Sequence, residues 1–146
     1  MASSTTSASS PTPSCALGVR RTVFDRLGGF ADGDGEDVDL CWRAQLAGCR
    51  LRHVPAATLH YRYRTSLPAT FRQARIYGAA HPLLYRRYRD AGMPGRSLRE
   101  AGAGWAGLLR MLVYTRTKTE LARVVFLLGV YVGRILGSLR YRAIYL

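Results

Sequence analysis

The chain has 146 residues, 48% of them hydrophobic, with 22 Lys and Arg against 9 Asp and Glu and a formal net charge of +13. That length sits near the mode for one domain, and the hydrophobic share excludes wholesale disorder and a collagen-like repeat. Three cysteines (Cys15, Cys41 and Cys49) with no CxxC pair cannot close a disulfide framework, and a reduced, cytosolic setting is the simpler reading.

In chain order, residues 1–14 carry no charge and no core-forming pattern, and read as a disordered leader. They lack the basic start and apolar run of a secretory signal. Cys15 to Val19 reads as a short apolar strand, followed by a helical turn through Val23, Phe24 and Leu27 that Gly28-Gly29 ends. ADGDGED is a turn-rich loop, and DVDLCWRAQLAG is a helix with acids in its first turn and Gly48 as its cap. RLRHV and ATLHYRYR read as two extended segments separated by Pro55. Ser66-Leu67-Pro68 starts a further helix running through FRQARIYG, with a break expected near Pro82. GMPG at 92–95 is a turn, and two apolar-basic segments follow, Trp105 to Tyr114 and Leu121 to Leu139.

The charge divides unevenly. Residues 15–60 hold six bases and six acids, whereas residues 61–146 hold sixteen bases and only Asp90, Glu100 and Glu120, so the whole excess lies there. Val124 to Gly133 is uncharged for ten residues between Arg123 and Arg134, half of what a spanning helix needs. A buried core helix, a membrane-surface helix with snorkelling arginines and a short spanning or hairpin segment all fit it. Tyr61, Tyr63, Tyr77, Tyr85 and Tyr88 among arginines superficially resemble a single-strand stacking surface. The same alternation suits lipid headgroups, and no nucleic-acid partner is expected.

Glu36-Asp37 follows a Gly-rich loop and begins an amphipathic helix, a place where a general base can face a cleft while the helix holds it. From composition alone these acids, with Asp39, are solvated helix-start residues. The longer string alters the reading. Arg20-Arg21, Phe24, Gly28-Gly29-Phe30, Gly35-Glu36-Asp37-Val38-Asp39-Leu40, Trp42-Arg43, Gly48, Pro55-Ala56-Ala57 and His60 appear in the order and spacing of a dense pattern over about 46 residues. That pattern resembles the second half of a family 2 glycosyltransferase catalytic domain, with Ala31-Asp32 where Asp-Glu is usual.

The resemblance implies transfer of a sugar from a nucleotide-diphosphate donor to an acceptor hydroxyl with inversion. Asp37 would be the general base; Glu36 would bind acceptor hydroxyls or support Asp37, and Trp42 would pack behind the motif or line the acceptor site. His60 would help ligate a divalent ion, Mg or Mn, on the donor diphosphate, and Arg72, Gln73 and Arg75 would approach that diphosphate. His53 and His81 have no matching role, and Cys41 and Cys49 lack zinc spacing. The implied fold is α/β: a partial GT-A (Rossmann-like) domain lacking its N-terminal nucleotide-binding half, followed by an α-helical tail. Its divisions are a leader at 1–14, an acceptor-side part at 15–65 and a basic helical tail at 66–146. No Asp-x-Asp motif precedes Cys15, and Asp32-Gly33-Asp34 lies in the wrong place for it. The chain is therefore expected to be truncated or one piece of a split enzyme, inactive alone. Its implied partners are a nucleotide-sugar, a glycan or lipid-linked acceptor and an anionic membrane, at the cytoplasmic face of the cell membrane. The process implied is synthesis of a cell-envelope polysaccharide. A non-catalytic membrane-surface or interaction module that keeps the acceptor-side fold is the alternative.

Overall fold

The computed structural model describes residues 17–60, 62 and 64–146. The expected leader lies outside the described residues, as do Cys15, Tyr61 and Tyr63. Five α-helices follow one another: α1 (Arg21–Arg26), α2 (Glu36–Leu46), α3 (Leu67–Tyr88), α4 (Leu98–Tyr114) and α5 (Lys118–Tyr141), with a 3-10 turn at Arg89–Ala91 after α3.

No β-strand occurs among the described residues, which overturns the expected α/β, partial GT-A (Rossmann-like) architecture. A strand is stable only when its N–H and C=O groups pair with a neighbour, and even a lone two-stranded hairpin is marginal in water. The two runs read as extended flank a turn at Pro55-Ala56, where the Ala57 N–H donates to the Val54 carbonyl at 3.0 Å. Residues 52–60 are exposed throughout, so no apolar face docks them against a core. Alternation without a partner leaves irregular backbone.

The described chain divides into two compact units, one formed by residues up to 32 with 36–61, the other by 33–35 with 62–146. In the first, α1 ends as Gly28 and Gly29 take φ of 77° and 73°. Helix α2 buries Leu40, Cys41 and Ala44 along one stripe, together with Asp39. It closes as a Schellman motif: the Cys49 N–H donates to the Ala44 carbonyl and the Gly48 N–H to the Gln45 carbonyl, both at 2.9 Å, with Gly48 at φ 81°.

The second unit is built on the packing of α3 against α5. Gly129, Gly133 and Gly137 recur every four residues along one face of α5 and meet Ala74, Arg75 and Ala79 of α3, while Gly78 of α3 lies against the Val130 backbone. A Cβ on Gly129 would come within 2.7 Å of the Ala74 Cβ, and Cβ atoms on Gly133 or Gly78 would run into the opposing backbone. Small residues let the two helix backbones come into direct contact, closer than larger side chains allow. Pro82 lies inside α3, yet the helix runs on to Tyr88 rather than breaking there as expected. Proline removes the donor that the Gly78 carbonyl would otherwise receive. The His81 ring supplies a replacement, with Nδ1 3.0 Å from the Tyr77 carbonyl and a second hydrogen bond to that of Gly78.

Capping boxes start α4 (Ser97 with Glu100) and α5 (Thr117 with Glu120). Past α5, Arg142 adopts φ 50° and the chain turns back, burying Ala143 and Tyr145. The Tyr145 ring lies 5.3 Å from Tyr85 and 5.9 Å from His81. Among the described residues one helix, α5, is long and apolar enough to cross a membrane by length and composition.

Candidate active site

The Glu36-Asp37 pair opens α2, where acidic side chains suit the positive end of the helix dipole. Glu36 is exposed and Asp37 half-buried. One Asp37 oxygen, Oδ1, accepts the Val38 N–H at 2.8 Å, which orients the carboxylate on the first turn. A half-buried carboxylate is chemically able to accept a proton from a hydroxyl that comes within hydrogen-bond reach.

The start of α2 is held in place by Asp39 and Arg43, and Asp39 is not the solvated helix-start acid that composition alone suggested. Asp39 is 2% exposed and carries the only buried charge among the described residues. Its Oδ2 accepts from Arg43 Nε at 2.7 Å, one helical turn on. The same guanidinium donates through Nη1 to the Leu27 carbonyl at 2.6 Å and through Nη2 to the Gly29 carbonyl at 2.7 Å. Arg43 thereby ties the Gly28-Gly29 turn to α2, and the edge-to-face contact of Phe24 and Phe30 (5.3 Å between centroids) braces the same turn. The signal for the pair was the i,i+4 spacing of an acid and a base on a helix.

The loop before α2 needs its glycines. Gly33 and Gly35 have φ of 113° and 81°. In the second unit these loop residues lie on α3, where a Cβ on Gly33 would sit 2.7 Å from Leu83 and one on Gly35 3.0 Å from Ala80.

The other site residues read from the sequence are scattered. Trp42 is half-buried on α2, about 140° round the helix from Asp37, so the two do not share a face. His60 is exposed on irregular backbone. No group of three His, Cys, Asp or Glu that could hold a metal ion occurs among the described residues, so His60 has no companion ligands there and the donor set does not fit the implied Mg or Mn. Arg72, Gln73 and Arg75 lie on α3 in the second unit. The Gln73 amide is engaged, donating to the Tyr77 hydroxyl at 2.6 Å and accepting from Arg64 Nε at 3.1 Å. Arg72 and Arg75 are exposed, and Arg75 borders a groove of about 350 Å³ together with Asp34 and Arg140.

No protein-family model matches the chain, and no solved structure matches it. The pre-mycofactocin glycosyltransferase of Mycobacterium tuberculosis, in two strains, is 32% identical over 124 residues, a match that takes in 77% of this chain and 26% of the relative. The chain thus spans about a quarter of the length of the curated relatives it matches, and what it resembles is a stretch of a glycosyltransferase.

Proposed function

We propose that the chain provides the acceptor-side, general-base portion of a glycosyltransferase of the family 2 type. The observation that carries this reading is the oriented Glu36-Asp37 pair at the start of α2, in a chain similar to a glycosyltransferase over three-quarters of its length. In the proposed reaction the acceptor hydroxyl oxygen attacks the anomeric carbon of a nucleotide-diphosphate sugar from the face opposite the diphosphate. The bond to the diphosphate breaks as the new glycosidic bond forms, with inversion, and Asp37 takes the hydroxyl proton. Glu36, exposed beside it, binds acceptor hydroxyls. Donor binding and any divalent ion on the diphosphate are assigned to no described residue, because none of the candidates forms a ligand set. Work at an anionic membrane surface belongs to the same reading, supported by the arginine excess beyond residue 60 and by the exposed leucines of α4.

A graft tests it. The aligned segment of this chain replaces its counterpart in the Mycobacterium relative, and sugar transfer to pre-mycofactocin is followed. The graft should transfer, and Asp37→Asn in it should lower kcat by about 10²–10⁴-fold, the range of a lost general base, with KM little changed. A folded graft whose Asp37→Asn variant matches its parent would refute the role of Asp37.

A further inference from the structure

The chain turns back sharply after α5. Arg142 takes φ 50°, in the left-handed region that a side chain opposes, and residues 143–146 fold onto the second unit. The Ala143 N–H donates to the Ser138 carbonyl and the Tyr145 N–H to the Ser138 hydroxyl, both at 3.1 Å. Ala143 and Tyr145 are buried, and Leu146 forms one wall of a cavity of about 170 Å³ that Trp105, Tyr131 and Ile135 also line. The returning segment is therefore a cover on an aromatic cavity. It includes no residue of the proposed transfer site and does not depend on that reading.

The Tyr145 ring anchors the cover. It stacks on His81, with centroids 5.9 Å apart and planes 20° apart, and lies 5.3 Å from Tyr85. The Arg134 guanidinium of α5 is 6.0 Å from the centroid of the same ring. A neutral imidazole stacks there without opposing charge, and one guanidinium is attracted by the ring. A second cation on that ring would be repelled by the first. The charges that face His81 are all of this sign: Arg134 from α5 and, more weakly, Arg96 from the loop before α4. Tyr145 of the returning segment and Tyr77 and Gly78 of α3 bring only neutral groups to it. Burial first, then Arg134, hold His81 below its ordinary value, against the raising effect of its hydrogen bonds to the Tyr77 and Gly78 carbonyls. The docked cover is thus fully favoured above the ordinary histidine value of about 6.5, and loses that support as pH falls below it.

We propose that residues 142–146 form an acid-released cover over the Trp105–Tyr131 cavity, with His81 as its trigger and the left-handed turn at Arg142 as its hinge. Charging His81 puts a second cation against a ring that already carries Arg134. Swinging the ring away returns His81 to water and leaves Arg134 on Tyr131, 5.7 Å from that centroid. The same movement removes the Leu146 wall and opens the cavity.

Hydrogen exchange of the whole chain at pH 7 and pH 5, corrected for the intrinsic rate at each pH, tests it. Protection of the Ala143 and Tyr145 amides should fall at least about threefold at pH 5, and one proton allows at most about tenfold per pH unit. The amides of α5 from Gly129 to Gly137 should keep theirs. Glu100 and Glu120 stay ionised at pH 5, because their capping hydrogen bonds hold both below the ordinary carboxylate value, so the starts of α4 and α5 remain capped. His81→Phe keeps a ring against Tyr145 that cannot charge, and should abolish the fall. His81→Gln, neutral and able to donate to the Gly78 carbonyl, gives the same reading if the Phe variant fails to fold. His53→Gln, at an exposed histidine of the first unit, should leave the fall unchanged. Equal protection at both pH values in the parent, an equal fall in the parent and His81→Gln, or a parallel loss along α5 overturns the proposal.

Discussion

Arg43 is the residue on which the geometry of the candidate active site turns. It neutralises Asp39, the one buried acid among the described residues, and each of its two terminal nitrogens donates to a carbonyl, Nη1 to Leu27 and Nη2 to Gly29. Only a planar guanidinium serves three acceptors at once in this way. Arg43→Ala leaves Asp39 buried and unpaired, and should cost about 3–5 kcal/mol in urea unfolding. Arg43→Lys restores one charge but not the fork, and should recover less than half of that loss. If both variants unfold like the parent, the clamp contributes nothing to holding the turn on α2. Part of this was legible in the sequence. The acid and base four apart on a helix, the double glycine and the capping Gly48 can all be read from residue type and spacing. That Asp39 is buried, and that Arg43 reaches back fourteen to sixteen residues, are consequences of tertiary packing that no local pattern states.

At the scale of elements, helices were readable where apolar spacing or a cap marked them, as in α2 and α3, and strands were misread. Alternation in ATLHYRYR describes a face, but a strand also needs a partner, and none exists among the described residues. Pro82 misled in the opposite direction, because the side chain of His81, the residue just before it, takes over the bond that the Gly78 carbonyl loses. The glycines of α5 carry the least visible information, since a helix-weakening residue every fourth position looks like poor helix rather than a contact face. Two substitutions with opposite expected signs test this. Gly133→Ala puts a methyl into the backbone of α3 at Arg75 and Ala79, and should destabilise by about 2 kcal/mol or more. Gly102→Ala in α4 meets nothing within 4 Å and should stabilise by up to about 1 kcal/mol through helix propensity. Thermal unfolding of both against the parent reads the difference. A stabilised Gly133→Ala would mean that the helices do not approach as closely as described.

For the whole molecule, the charge excess and the exposed apolar surface fall in the same part of the chain. Residues 61–146 carry all of the +13. On α4, Leu109, Leu112, Val113 and Tyr114 are 52–73% exposed, with Arg110 among them and Arg116 and Lys118 just beyond. Apolar side chains interleaved with bases suit an anionic lipid surface, where each base near the surface contributes about 1 kcal/mol and apolar burial adds a component that salt does not screen. Nucleic acid would engage the bases but leave the leucines in water. The chain should therefore co-sediment with vesicles containing phosphatidylserine, far less with neutral ones, and should give no oligonucleotide shift at 0.15 M salt. Raising salt shortens the Debye length from about 10 Å at 0.1 M to about 3 Å at 1 M, so binding should weaken severalfold without vanishing. Leu109→Glu with Val113→Glu places two carboxylates on surface already exposed, so the unfolding temperature should hold while vesicle binding falls at least about tenfold. Binding to oligonucleotide but not to vesicles would reassign the basic segment, and unchanged vesicle binding in the double variant would move the contact away from α4.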